Sequence, residues 1–226
     1  MYVTIPSEFP AKQNIAALAS SAHRSNVSHF KAGTYLYFEQ DDVEWLYQVT
    51  SGVLRLTRLL EDGRRQVIAF GYPGDIVGFP SDGVHHTDCD ILVDATLQPY
   101  SKSVLDCGDG DPQLHQALLQ AALREISAMQ DHFMMLGRKS ALEKVSSFLC
   151  VLAERVGEDF GEYKQLNLPM NRADIADFLG LTTETVSRTL TQLRKSNVIA
   201  IENVHTIIVL RPPQLFKLSQ GDHPSD

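Results

Sequence analysis

The segment from Asn171 to Ile199, "NRADIADFLGLTTETVSRTLTQLRKSNVI", leaves fewer folding options than any other part of the chain. Asn171 is suited to cap a short helix whose inner face is Ile175, Phe178 and Leu179, and Gly180 suits the left-handed residue after its end. Leu181 is an apolar turn residue and Thr182 a cap for a second helix. On that helix Val186, Leu190 and Leu193 fall at i, i+4 and i+7 and define a buried stripe. The opposite face then carries Thr183, Glu184, Ser187, Arg188 and Thr191. Two short helices joined by a three-residue turn containing glycine place the second helix in a DNA major groove.

That outer face has the donors and acceptors needed to read bases. A guanidinium can bond guanine O6 and N7 together, a carboxylate accepts from cytosine N4, and a serine reaches a base edge or a thymine methyl. The plainer reading of Glu184 and Arg188 is a surface ion pair at i, i+4 spacing. The two roles are compatible, because the carboxylate can hold the guanidinium ready for a base. Further on, "VIAI" and "TIIVL" flank Glu202 to His205 as a hairpin, which makes the motif a winged helix-turn-helix.

The front half follows a different period. From Gly33 to about Val104 the runs "TYLYF", "WLYQV", "GVLRLTRLL" and "RRQVIAF" read as short strands, with turns at Ser51-Gly52, Asp62-Gly63 and Pro73-Gly74. Strands at this spacing suggest a sandwich or a jelly-roll barrel. From Asp111 the pattern becomes helical. Leu119, Ala122, Ile126, Met129, Phe133 and Leu136 form an a/d seam running for more than two heptads. Two readings fit it: a helix packed on its own sheet, or a helix paired with a second copy. Leu118, Met134 and Met135 lie off the seam and can make the intramolecular contact, leaving the seam free. Gly137 is expected to break the helix. Ser140 and Glu143 have capping-box spacing for another, with an apolar face of Val145, Phe148, Leu149, Leu152 and Val156. The stretch "GEDFGEYKQLN" ends it, and the domain boundary is expected near Gly137 to Ser140.

Charge bears on which half could meet a polyanion. The net charge is -8. Residues 1–137 hold 9 Lys and Arg against 17 Asp and Glu, whereas residues 138–226 hold 11 of each. Phosphate would be repelled by the front half, so a nucleic-acid face belongs at the back. No apolar run approaches the ~20 residues of a membrane span, and no signal-peptide pattern opens the chain, so a cytoplasmic protein is expected. Three widely spaced cysteines, Cys89, Cys107 and Cys150, form neither a disulfide framework nor a metal pair. They are the thiols that a redox role would use.

Over nearly its whole length the chain resembles the CRP/FNR superfamily. The helix "LTTETVSR" is similar to the FNR and FixK branch, in which the E-x-x-S-R pattern reads a TTGA half-site. By that match Glu184, Ser187 and Arg188 carry over as base readers, with Thr182, Thr183, Thr191, Lys195 and Arg172 in support. "AGTYLYFEQDDVEWLYQVTSGVLRL" and "EDGRRQVIAFGYPGDIVGF" resemble the family's β-roll sensor domain, with Asp41 where the family usually has Gly. The seam resembles the family's dimerisation helix. The resemblance implies an α+β chain with a β-roll over residues 1–110, a dimerisation helix over 111–137 and a winged helix-turn-helix over 138–218. It implies a homodimeric regulator, an activator, on a palindromic TTGA...TCAA site in double-stranded DNA, with RNA polymerase as a further partner. By analogy only, its targets would be low-oxygen, nitrogen-oxide or nitrogen-fixation genes.

Family members bind cyclic nucleotides, iron–sulfur clusters or haem, or nothing known. Those that bind cyclic nucleotides hold the phosphate with an Arg and a Ser or Thr after a Gly-Glu step. Here Phe79 follows Gly78, and no Lys or Arg occurs from Val67 to Ser101. A buried phosphate would lack its charge-assisted partner. A four-thiolate cluster cannot be built from three cysteines. His85 and His86 are adjacent, so in a strand they would face opposite sides; a solvated loop is the plainer reading. No metal and no cofactor is therefore expected. The alternatives from other classes are a cupin-type jelly-roll metalloenzyme, which lacks convincing metal partners here, and a ligand sensor whose helix-turn-helix binds only protein.

Overall fold

A computed structural model of the chain describes residues 27–80, 82–107 and 112–222. The polar segment before residue 27 and the side chain of Cys107 lie outside the described set. Two compact units part at Asp131–His132.

The N-terminal unit is built on two long strands, β3 (Trp45–Leu59) and β6 (Asp88–Ser101), which pair antiparallel along most of their length. β1 (Ser28–Phe30) and β2 (Tyr35–Tyr37) pair with β6, while β4 (Arg65–Gly71) and β5 (Ile76–Val77) pair with β3. The sheet path β1-β6-β3-β4 is open, so the strands form a β-rich roll and not the closed barrel that was one expectation. The reason lies in the bulges. Register shifts between Val49 and Leu54 switch which side chains of β3 face inward, and a strand bends where it bulges. One end of the bent pair encloses Leu54, Ile91 and Leu97, and the other encloses Leu46, Ile76 and Tyr100.

Gly52 sits at the bend with φ +87, and a Cβ there would stand 2.5 Å from the Asp94 carbonyl oxygen and 2.6 Å from Ala95 Cα. Both neighbours are backbone and cannot step aside. Gly52→Ala should lower the stability of this unit by at least ~2 kcal/mol, from the strained φ and the clash together. Thermal denaturation checks this; an unchanged midpoint would mean the bulge is absent.

After a short α1 (Ser103–Cys107), α2 runs from Pro112 to Arg138. Leu114 and Leu118 seat its start on the second core, beside Tyr100 and Val104. Of the three off-seam residues, Leu118 and Met135 are buried, but Met134 is exposed. Met134 is only 100° around the helix from Phe133 and shares its solvent side. Gly137 does not break the helix. A single glycine costs ~1 kcal/mol, which a helix of this length absorbs. The stop comes instead from Ser140, whose side chain accepts from Glu143 N–H while Glu143 accepts from Ser140 N–H, starting α3 (Ala141–Arg155).

The C-terminal unit takes in the last turns of α2, because His132 and Met135 are buried within it. That places the division of the compact units a few residues ahead of Gly137 to Ser140. α3 leads to β7 (Glu158–Phe160) and β8 (Tyr163–Asn167), then α4 (Arg172–Leu179), α5 (Thr183–Lys195), β9 (Ile199–Ile201), β10 (Thr206–Val209) and α6 (Pro212–Ser219). The four strands form one antiparallel sheet in the order β7-β8-β10-β9. "GEDFGEYKQLN" is therefore a hairpin and not only a helix-ending loop.

Candidate nucleic-acid interface

α4 and α5 are set by their ends. Asn171 accepts from Asp174 N–H at 2.9 Å, and Asp174 accepts from Asn171 N–H at 3.2 Å, which closes a capping box around the start of α4. Gly180, at φ 60 and ψ 44, is the left-handed residue that ends it. Two residues later Thr182 Oγ1 accepts from Thr185 N–H at 3.1 Å and starts α5. Ile175, Phe178 and Leu179 from α4, and Val186, Leu190 and Leu193 from α5, are all buried. With that stripe inside, helical geometry leaves Thr183, Glu184, Ser187 and Arg188 exposed on the other side.

Arg188 Nη2 lies 2.6 Å from Glu184 Oε1, with the two side chains 80% and 70% exposed. At that exposure the pair contributes only a few tenths of a kcal/mol to stability. What it does contribute is a guanidinium held in one orientation with most of its N–H groups facing outward. The hydroxyls beside it behave differently. Ser187 Oγ donates to Thr183 O and Thr191 Oγ1 donates to Ser187 O, each at 2.8 Å. Their protons are committed to the helix, so they present lone pairs outward, as acceptors.

Glu184, Ser187, Arg188, Thr191 and Lys195 share one open concavity along α5. Gln192 and Ser196 complete it and were not singled out from the sequence. Gln192 stands four residues after Arg188, so the i+4 spacing was the signal for it. Thr182 stands at the cap. Arg172 is the first residue of α4 and is half-buried, with burial pulling its pKa below the usual value. Its Nη1 is enclosed and has no hydrogen-bond partner among the described residues. An enclosed guanidinium nitrogen without an acceptor is costly.

Behind the helices, the β9–β10 loop is fixed by polar contacts the sequence did not reveal. His205 Nδ1 donates to Leu168 O at 2.9 Å, His205 N–H to Asn203 Oδ1 at 2.8 Å, and Asn203 Nδ2 to Thr206 Oγ1 at 3.1 Å. The wing is thereby tied to the strand that leads into α4. Val204 stands exposed in this loop.

The sensing candidates in the N-terminal unit fare less well. His85 is not in a solvated loop: it is buried, its ring stacked on Tyr37 with centroids 3.6 Å apart, while His86 is exposed. No cluster of three or more His, Cys, Asp or Glu able to hold a metal occurs among the described residues. Cys89 is buried, and burial pushes its thiol far above the usual range. Burial raises the Cys150 thiol to about 11. Both are held as the protonated form, which is the poor nucleophile. In the turn that carries Asp41, its carboxylate accepts from Phe38 N–H at 2.9 Å, and the positive φ falls on Gln40.

On the seam, Leu119, Ile126, Met129 and Phe133 are exposed, Phe133 by 74%, while Ala122 and Leu136 are half-buried. Leu123, exposed beside them, widens the apolar face. No helix among the described residues is long and apolar enough to cross a membrane.

Comparison with known proteins completes the description. Residues 143–218 match the Crp-like helix-turn-helix domain, and residues 27–86 match the cyclic nucleotide-binding domain. The chain is 40% identical over 199 residues to the nitrogen fixation regulation protein FixK of Bradyrhizobium diazoefficiens, covering 88% of this chain and 83% of that protein. It is 40% identical over 167 residues to the transcriptional activatory protein AadR of Rhodopseudomonas palustris, covering 74% and 70%. Among solved structures, FixK2 from Bradyrhizobium japonicum superimposes with a TM-score of 0.77 at 33% identity, covering 89% of this chain and 98% of that one.

Proposed function

Because the chain belongs to the CRP/FNR family and is a DNA-binding transcription regulator, we propose that it acts in the cytoplasm as a homodimeric activator on a TTGA...TCAA palindrome. The observation that carries this reading is the exposed Glu184–Arg188 pair on the outer face of α5. Arg188 reads the guanine of each half-site, and Glu184 orients it and accepts from the paired cytosine. Ser187 offers lone pairs to the neighbouring step, where a base amino group is its complement. Arg172 and Lys195 bond backbone phosphates. Thr182, Thr183 and Thr191 support the docked helix. The name of AadR, a transcriptional activatory protein, favours activation, which requires contact with RNA polymerase. A regulatory role of this kind is read in preference to an enzymatic one.

The dimer forms through the α2 seam and sets two recognition helices about 34 Å apart on successive major grooves. A gel-shift assay with the TTGA palindrome tests the reading. Retardation of the palindrome, but not of a version with both guanines replaced, is the expected result. Equal retardation of both would sink it.

The match to a cyclic nucleotide-binding domain is one of fold. With no Lys or Arg from Val67 to Ser101, and with Tyr37 and His85 stacked inside the roll, a cyclic nucleotide's phosphate has no cation to meet it. Calorimetry should show no cyclic AMP binding at micromolar concentrations, and the purified protein should bind its operator in air without added cofactor. Micromolar heats, or a strict need for a cluster or haem, would overturn this.

A further inference from the structure

Most of the side chains lining the open concavity along α5 have their polar atoms committed within the helix. Glu184 and Arg188 are paired with each other. Ser187 Oγ and Thr191 Oγ1 each donate to a backbone carbonyl one turn earlier at 2.8 Å, and Ser196 Oγ donates to Gln192 O at 3.1 Å. Lys195 carries donors but no acceptor. Gln192 differs from all of these. It is exposed, and its side-chain amide makes no hydrogen bond to the protein among the described residues. It therefore presents donors and an acceptor together, on one planar group, to whatever enters the concavity.

Its position agrees with its chemistry. At 100° per residue, Glu184, Arg188 and Lys195 fall close to one line, opposite the buried Val186, Leu190 and Leu193. Ser187 lies roughly 80° to one side of that line and Gln192 roughly 60° to the other. Gln192 is thus no further from the middle of the exposed face than Ser187, and its side chain is longer. Length matters here, because the first residues of a recognition helix lie nearest the bases and Gln192 is in a later turn of α5. Four residues after Arg188, it stands about 6 Å further along the helix axis. For a helix lying along the groove that is just under two base-pair steps of about 3.4 Å.

We infer that Gln192 is a specificity-determining residue, which reads an adenine about two base pairs away from the guanine that Arg188 reads. The amide oxygen accepts from adenine N6–H while the amide N–H donates to N7, a pair of bonds that no other base edge offers in the major groove. This rests on the reading above, in which α5 lies in the major groove with Arg188 on guanine.

The test measures binding of the full chain to the TTGA palindrome with each base pair on either side of the guanine replaced in turn. Wild type, Gln192→Ala and Gln192→Glu are compared, over a range of salt. Wild type should lose about tenfold per half-site when the adenine-bearing pair about two steps from the guanine is replaced. Gln192→Ala should be indifferent at that pair alone, keeping the wild-type discrimination at the guanine and the wild-type salt slope. Gln192→Glu, which can only accept, should prefer cytosine where wild type prefers adenine. Both variants should melt with wild type, since the side chain is exposed and unbonded. A Gln192→Ala protein that keeps every wild-type preference overturns the inference. So does one that weakens all operators by a common factor with a shallower salt slope, the mark of a phosphate contact. Lost discrimination at the guanine overturns it too, because Gln192 would then act only as a brace for Arg188. A wild type indifferent to the guanine would instead remove the docking of α5 on which the inference rests.

Discussion

Arg188→Ala should abolish discrimination at the guanine of the half-site while leaving weak, salt-sensitive binding to any DNA. A bidentate Arg–guanine contact is worth about 1–3 kcal/mol. A symmetric dimer loses it twice, so about 2–6 kcal/mol, or roughly 30-fold to 10⁴-fold in affinity, is at stake. Folding should be unaffected, because the side chain is 80% exposed and its single ion pair is with an equally outward carboxylate. Lys195, at the far end of the same concavity, is the contrasting case. Lys195→Ala should weaken all sequences alike and reduce the salt slope by roughly 0.9 per half-site, the signature of a phosphate contact. Binding of wild type and both variants to operators carrying each base at the guanine position separates the two roles. If Arg188→Ala keeps the wild-type base preference, α5 docks in another register.

Replacing Ile126 and Phe133 together by Asp should turn the dimer into monomers without unfolding either unit. In the single chain both side chains face outward, 53% and 74% exposed, whereas the buried residues of α2 are Leu114, Leu118, Ala128, His132 and Met135. Charges at the seam therefore cost the monomer little, but in a dimer they would place four carboxylates in an apolar interface. Operator affinity should fall to the range of non-specific binding, about 10⁻⁴–10⁻⁶ M at physiological salt. Sedimentation and thermal denaturation on the same sample give the answer. A variant that stays dimeric would show that the seam is elsewhere, and one that unfolds would mean that these residues serve their own chain.

The exposed pattern on α2 shows why the seam was only half legible. Its 3-4 spacing could be read directly, yet the same spacing fits a helix packed on its own sheet. Leu118 and Met135 mark a second apolar face in the sequence, and the folded chain adds Leu114 to it. Met134 was assigned to that inner face because a single extra residue, rotated 100°, is hard to place when apolar residues occupy both sides. The hairpin of β7 and β8 went unread for a related reason. Its strands are short, and β7 is exposed throughout, so there is almost no inward alternation to detect.

Local chemistry is what the sequence determined by itself. The caps at Ser140, Asn171 and Thr182, the left-handed Gly180, the buried stripe of α5 and the outward Glu184, Ser187 and Arg188 all depend on residues within a few positions of one another. Helical periodicity and hydrogen-bond reach are enough to place them. Tertiary structure decided whatever depends on residues distant in the chain. His85 reads as an exposed loop histidine until Tyr37, brought alongside on β2, stacks on it and helps to bury it. The thiols of Cys89 and Cys150 owe their raised pKa values to burial, which spacing does not reveal. His132 looks like an unremarkable polar residue between seam positions until Phe178, forty-six positions on, presents a ring to stack on. Burial and long-range pairing belong to the folded chain as a whole, so no local window of sequence contains them.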